Sequence, residues 1–263
     1  MPDSDFRILF VADVVGQPGR EAVKAILPAL KREVRPHLTI LNGENAAGGF
    51  GLTAKIASEL KGAGADVITS GNHVFAQKEF VGELPNLDRV LRPANYPPTA
   101  PGQGWSALEV DGHQVLVMNL IGRIFLDPLD DPFRAADAIL AAHPDAEIVF
   151  CDMHAEATSE KTAMGWYLDG RVSAVVGTHT HIPTADARVL PGGTAYVTDV
   201  GMVGPRDSCI GMDKDVVIQR FLTGVPNRFV VASGPVTFNS ILVSINGSTG
   251  RATSIQRIDR EHV

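Results

Sequence analysis

The sequence predicts an α/β fold: a four-layer sandwich of two mixed β-sheets flanked by helices. Three observations predict it. Short apolar runs alternate with helical patterns over residues 6–84, the order that builds right-handed crossovers and a parallel sheet. Two strand-like runs between 105 and 120 are separated by Asp111-Gly112, a hairpin turn signal. The last third is mostly strand. Parallel units followed by antiparallel strands call for two sheets stacked on each other. With 263 residues, of which 44% are apolar, the chain can bury such a core. No linker-like stretch divides it, so residues 1–263 read as a single domain.

The elements follow in order. FRILFVA (6–12) is a strand, and REAVKAILPALKREV (20–34) is a helix that Pro28 is expected to bend. HLTILN (37–42) is a strand. TAKIASELKGAG (53–64) is a helix with Thr53 as N-cap and a glycine stop. DVITS (66–70) is a strand, followed by a short helix near 76–84. The proline-rich segment 92–104 is a surface loop. After the hairpin come helix 133–143, strand 147–151, helix 159–168 and strand 172–176. Strands are then expected at 187–190, 195–200, 228–233, 236–245 and 253–259, with one helix near 213–223.

A net charge of −7 argues against holding long nucleic acid on a basic surface. A small phosphate ligand is still allowed if metal cations supply positive charge locally. Cys151 and Cys209 form no CxxC pair, and Cys151 lies in an apolar run that reads as core. This usage fits a reducing cytoplasm. The first fifteen residues lack a basic leader, and Asp13 interrupts their apolar run, so they make a poor signal peptide. No apolar stretch approaches membrane-spanning length, so no membrane partner is expected. A homo-oligomer is compatible with all of this.

The chemistry collects at strand ends. Asp13 follows the first strand, Glu44 and Asn45 the second, and Asn72 and His73 the third. His154 follows EIVFCDM, and His179 and His181 sit in GTHTH just after VSAVV. In a parallel α/β sheet the strand C-terminal ends share one edge, where ligands bind. Each residue alone has a bland reading, since a lone acid after a strand is most often a helix N-cap and Gly-Asn is a common turn. Together they put carboxylate, amide and imidazole groups from five loops on one rim. The other histidines, His37, His113, His143 and His262, read as unrelated to it. Mixed carboxylate and imidazole donors suit Mn, Fe, Zn or Co better than Ca or Mg. So many donors suit two ions about 3.5–4 Å apart.

The order of these motifs resembles the calcineurin-like metallophosphoesterases, whose pattern runs D-x-H, G-D-x, G-N-H-[DE], H and G-H-x-H. Here it stands as DVV from Asp13, GEN from Gly43, GNHV from Gly71, MHAE at His154 and GTHTH from Gly177. Three departures mark the chain. Val15 replaces the first histidine, Glu44 the bridging aspartate, and Val74 the acid after G-N-H. With ADVVGQPGR, NGENAAGGFG and HAEATSEK, they resemble the YmdB-like branch of that superfamily.

The resemblance implies a two-metal phosphodiesterase acting on small phosphodiesters, 2′,3′-cyclic nucleotides foremost. One ion would take Asp13, Glu44, Asn45 and His181, with the Asn45 amide oxygen compensating for Val15. The other would take Glu44, Asn72, His154 and His179. Fe or Mn is expected, with Zn or Co next. A hydroxide bridging the ions would attack phosphorus, with His73 as general acid to the leaving oxygen. Arg206, in the loop 201–211, is a candidate phosphate contact. Glu156 and Lys161 are placed to orient His154 or to open the following helix. Two other functions fit the same residues: a phosphomonoesterase or nucleotidase using the same metals, and a nucleotide- or RNA-sensing module with a regulatory metal site.

Overall fold

The computed structural model describes residues 5–263, so the leader reading falls partly outside the described residues. The chain begins with β1 (Phe6–Val11), β2 (Asp13–Val14), α1 (Gly16–Val34), β3 (Leu38–Asn42), α2 (Ala54–Gly62), β4 (Val67–Thr69) and α3 (Lys78–Glu83). The hairpin β5 (Trp105–Val110) and β6 (His113–Ile121) follows, then α4 (Pro132–Ala142), β7 (Ile148–His154), α5 (Thr158–Tyr167) and β8 (Ala174–Thr178). The remainder is β9 (Arg188–Val189), β10 (Ala195–Val197), β11 (Met202–Pro205), α6 (Lys214–Thr223), β12 (Val236–Phe238), β13 (Ser240–Ile245), β14 (Ala252–Arg257) and β15 (Arg260–His262). Local signals act as expected: the Thr53 hydroxyl caps α2 by accepting from Ile56 N, and Gly224 ends α6 with φ 69°. α1 runs through Pro28 without ending there.

Two large mixed sheets form the sandwich. The first has the order β14-β13-β1-β3-β4, and the second β5-β6-β7-β8-β10-β9. β1, β3 and β4 are parallel neighbours, as are β6, β7, β8 and β10. Alternation along β1 sorts its side chains. Ile8 and Phe10 enter the core between the sheets, where Phe10 stacks on Phe150 at 5.4 Å. Leu9 and Val11 face Leu27 and Leu30 of α1 and Leu60 of α2. Burial on both faces explains why these strands read as nearly continuous apolar runs.

A third sheet, β15-β12-β11-β2, joins the two. It arises because neighbouring segments leave the first sheet together. The run 236–245, expected as one strand, breaks at Asn239, whose carbonyl accepts from Ala12 N at 3.1 Å between β1 and β2. Met202 N donates to the Asn239 side chain at 3.2 Å, so this residue is the hinge between two sheets. Part of the glycine-rich loop 201–211 is β11. Residues 228–233 are not a strand; they make only an isolated bridge, Val231 to Met212. Among the described residues, no helix is long and apolar enough to cross a membrane.

Candidate metal centre

The C-terminal ends of β3, β4, β7 and β8 meet at one edge, next to β2. Asp13 lies in β2, His154 is the last residue of β7, and His179 directly follows β8. Glu44, Asn45 and Asn72 come from the turns after β3 and β4. Asp13, Glu44, Asn45, His154 and His181 are all buried.

His154 Nε2 is the hub. Asn72 Oδ1 lies 2.9 Å from it, His179 Nδ1 3.0 Å and Glu44 Oε1 3.1 Å. On the other side of the ring, Nδ1 meets Thr178 Oγ1 at 2.9 Å, and that hydroxyl donates to Asp152 Oδ1 at 2.7 Å. The hydroxyl therefore accepts from Nδ1–H, which leaves a lone pair on Nε2 in the neutral ring. His179 is oriented in the same way: its Nε2 sits 3.0 Å from Glu156 Oε2, which turns the Nδ1 lone pair inward. Four acceptors thus converge on one point.

A second group stands beside it. Asn45 Oδ1 faces His181 Nε2 at 3.3 Å. Asn45 Nδ2 donates to Gly49 O at 3.0 Å, and His181 Nδ1 donates to Ile210 O at 2.8 Å. Here too an amide oxygen and an imidazole lone pair point at each other. Asp13 Oδ2 accepts from His179 N at 3.2 Å, while Oδ1 is buried without a hydrogen-bond partner.

Charge at the hub tells the same story. Burial opposes an imidazolium at His154, yet Glu44, Asp13 and Asp152 carry its pKa up to about 9. Burial opposes the Glu44 carboxylate, yet His154, with His73 and His179, holds it down at about 2. Burial and then the His154 charge push His179 down to about 3. Burial raises Asp13 well above the usual carboxylate range. The pocket demands positive charge where the acceptors converge. Lone pairs facing lone pairs, an orphaned buried carboxylate oxygen and mixed O/N donors all fit transition-metal cations. Glu44, His154 and His179 each offer a ligand atom, and these atoms lie within 4.8 Å of one another.

The backbone is shaped to allow this. A Cβ on Gly71 would stand 2.2 Å from His154 Nε2 and 2.3 Å from Glu44 Oε2, so only glycine lets the β4 turn approach. His179 and His181 hold φ of 103° and 64°, left-handed conformations that cost about 1–3 kcal/mol each outside glycine.

His73 is half-buried in the cleft. Its backbone N–H donates to Glu44 Oε2 at 3.2 Å, its Nε2 lies 3.3 Å from Asn72 Nδ2, and Phe50 packs edge-on at 5.0 Å. The cleft has a volume of about 490 Å³. Glu44, Asn45, His73, Glu156, His179 and His181 line one part of it; Phe50, Ile210, Met212, Val217, Phe221 and Phe229 form an apolar wall.

Other residues lie apart from this cleft. Arg206 is exposed and bonded to Asp207 Oδ1 and Glu261 Oε1, each at 3.2 Å, and is not among the lining residues. Val15 is fully buried in an apolar cluster with Met202 and Met212. Glu156 pairs with His179, not His154. His37 accepts from Arg7 N and stacks on Phe6, and His143 packs on Trp105.

The sequence reading missed Asp152, Thr178, Asp199 and the apolar wall. Asp152 had a usable signal: a carboxylate inside an apolar strand, two residues before His154 and so on the same face. Asp152 accepts from Thr69 Oγ1 at 2.5 Å and Asn42 Nδ2 at 3.1 Å as well as from Thr178, and so ties β3, β4 and β8 beneath the hub.

Comparison with known proteins places this geometry in a family. The family model described as YmdB-like protein matches residues 9–258. A 2′,3′-cyclic-nucleotide 2′-phosphodiesterase of Bacillus subtilis is 54% identical over 256 residues, 96% of each chain. A solved structure of a hypothetical protein from Thermus thermophilus superposes with a TM-score of 0.93 at 46% identity, covering 98% of this chain and all of that one. A novel phosphatase of Mycoplasma pneumoniae gives 0.94 at 33% identity, with 98% and 94% covered. The fold, the rim of donors and the end-to-end match agree: the chain belongs to the YmdB-like family of calcineurin-like metallophosphoesterases.

Proposed function

We propose that this protein is a dinuclear-metal phosphodiesterase that hydrolyses small phosphodiesters, foremost 2′,3′-cyclic nucleotides. The observation that carries the reading is the convergence of unprotonated acceptors on His154 Nε2, on the rim of a cleft with an apolar wall. The polar part suits a phosphodiester, and the wall suits a ribose and base. The activity of the Bacillus subtilis relative supports it.

Asp13, Glu44, Asn45 and His181 hold one ion, and Glu44, Asn72, His154 and His179 the other. Fe or Mn is the expected pair, with Zn or Co compatible with the same donors. Bound there, the ions supply positive charge against the phosphoryl oxygens and acidify the attacking water.

The chain's own residues complete the reaction. Asp152, through Thr178, holds the His154 ring with Nε2 toward the centre. Glu156 does the same for His179. Asn72 Nδ2 donates to His73 Nε2, which leaves the proton of the neutral ring on Nδ1. Burial lowers the His73 pKa, so the ring rests neutral and must take up a proton to act as an acid; the imidazolium then formed gives that proton up readily. His73 is the general acid to the leaving ribose oxygen.

A substrate panel on the Mn²⁺-loaded protein tests this, with His73→Ala beside the native chain. The native protein should hydrolyse 2′,3′-cyclic AMP and leave 3′-AMP untouched; hydrolysis of the monoester alone would overturn the diesterase reading. A general acid contributes about 10²–10⁴-fold where the leaving oxygen needs a proton. His73→Ala should lose that much on the cyclic nucleotide and far less on bis(p-nitrophenyl) phosphate, whose nitrophenolate leaves unaided. Equal losses on both substrates would remove His73 from the acid role.

A further inference from the structure

Two ionisable side chains of opposite sign are buried behind the centre, outside the proposed ligand set. Lys161 of α5 is 1% exposed, and Asp199, two residues after β10, is 0% exposed. Lys161 Nζ donates to Asp199 Oδ2 at 2.7 Å and to Thr178 O at 3.0 Å. The same Oδ2 accepts from Thr180 N at 3.0 Å and from Thr180 Oγ1 at 2.7 Å. Thr184 N donates to Asp199 O at 3.0 Å, and Asp199 N donates to Thr184 Oγ1 at 2.9 Å. Residues 178–184 are thus tied down at Thr178, Thr180 and Thr184. His179 and His181 alternate with those anchors.

We propose that Lys161 and Asp199 are positioning residues, a buried ion pair that holds residues 178–184 in the conformation from which His179 and His181 reach the metal centre. The proposal rests on the dinuclear reading above. His179 and His181 both sit in the left-handed region, with φ of 103° and 64°. A side chain with a β-carbon relaxes out of that region unless its surroundings hold it. Thr180, between them, has both its N–H and its hydroxyl bound to one carboxylate oxygen. The packing leaves the lysine little choice of path: a Cβ on Gly177 would stand 1.7 Å from Thr198 O and 2.7 Å from Lys161 Cδ, so the end of β8 is pressed against the lysine stem.

Core packing does not explain the pair. Two apolar side chains of similar volume fill such a space as well, and often with greater stability. They cannot accept two hydrogen bonds from Thr180 while donating one to Thr178 O. The pair therefore acts through the two histidines, before any metal arrives, by holding them ready.

The test uses two variants of the full chain. Lys161→Met/Asp199→Leu removes both charges together and leaves no lone buried ion. Thr180→Val removes a single hydroxyl donor. Amide exchange is measured on metal-stripped protein, Mn²⁺ affinity by calorimetric titration, and kcat and KM for 2′,3′-cyclic AMP at saturating Mn²⁺. In both variants, exchange over 178–184 should rise about tenfold or more while β7 and β10 stay protected. Mn²⁺ affinity should fall about 10–100-fold, the usual cost of losing a group that orients a metal ligand. kcat should fall with KM unchanged. A folded double variant with native protection and native affinity overturns the proposal. Should that variant fail to fold, native exchange and affinity in Thr180→Val overturn it. The exchange readout needs no metal. A native chain that binds no Mn²⁺ would sink the dinuclear reading, whereas unchanged protection in the variants would sink the clamp.

Discussion

Val15 stands where the superfamily pattern has a histidine, and its surroundings explain the exchange. It is fully buried against Met202 and Met212, and its Cγ1 lies 2.7 Å from where a Cβ on Gly211 would be. The donor needed on that side is proposed to come from Asn45, whose amide is held by Gly49 O and whose oxygen faces His181 Nε2. Asn45→Ala should therefore weaken one Mn²⁺ by at least the roughly 10–100-fold that losing even a ligand's outer partner costs, and leave the second bound. Val15→His should bring no metal and should destabilise the fold by a few kcal/mol, since a polar ring replaces close apolar packing. Titration calorimetry reads the first result and thermal melting the second; two native-affinity equivalents in Asn45→Ala would end the compensation idea. These residues were legible because each follows an apolar strand; parallel strands of one sheet end on one edge, and the stacking of the two sheets brings their edges together. Their supports were legible only in part. Glu156 and Lys161 stood out just after His154, and Asp152 carried a signal in its place within an apolar strand. Asp199 looks like an ordinary acid after a strand until the stacked sheets show how deeply it is buried.

Helices were legible to within a few residues, because caps and 3.6-residue spacing are local. Strands were less so. β8 lies two residues beyond the apolar run, at Ala174–Thr178, since its register is set by pairing with β7, Phe150 opposite Ala174. Residues 236–245 look like one strand but serve two sheets, a division made where Asn239 meets Ala12. Residues 228–233 look like a strand because they are apolar, but they pair only at the isolated Val231 bridge to Met212, and Phe229 alone of them lines the cleft. α6 shows the same limit. Its place was legible, but not that it buries no residue of its own. Val217 and Phe221 are four apart, hence on one face, and that face forms part of the apolar wall. Phe221 is 85% exposed, which leaves its ring free for a base. Stacking of a base on an aromatic ring is worth about 1–3 kcal/mol. Phe221→Ala should raise KM for 2′,3′-cyclic AMP about tenfold with kcat preserved. Glycerol 1,2-cyclic phosphate, which keeps the cyclic diester and lacks the base, should be unaffected. An equal change on both substrates would mean that the helix shapes the site without touching the base.

Across the whole molecule the centre joins two sheets. Glu44, Asn45 and Asn72 come off strands of the first, His154, His179 and His181 off strands of the second, and Asp13 lies in the small sheet between. Metal bound by these residues would staple the sandwich along its open edge, where the interior apolar core gives way to polar groups. Such binding is a stability term as well as a catalytic one. A ligand held only by the folded state, at about a thousand times its Kd, adds about 4 kcal/mol. In a chain of about this size each kcal/mol moves Tm by about 2–4 °C. Removing the metals with a chelator should therefore lower Tm by about 10 °C, and restoring Mn²⁺ should reverse the change. Glu44→Gln sharpens the test, because that carboxylate is proposed to serve both ions. The variant should melt at one temperature whether or not the chelator is present, since it has little bound metal to lose. A native protein whose Tm ignores the chelator would show that the two sheets are held by their apolar core alone, and that the edge residues bear no metal.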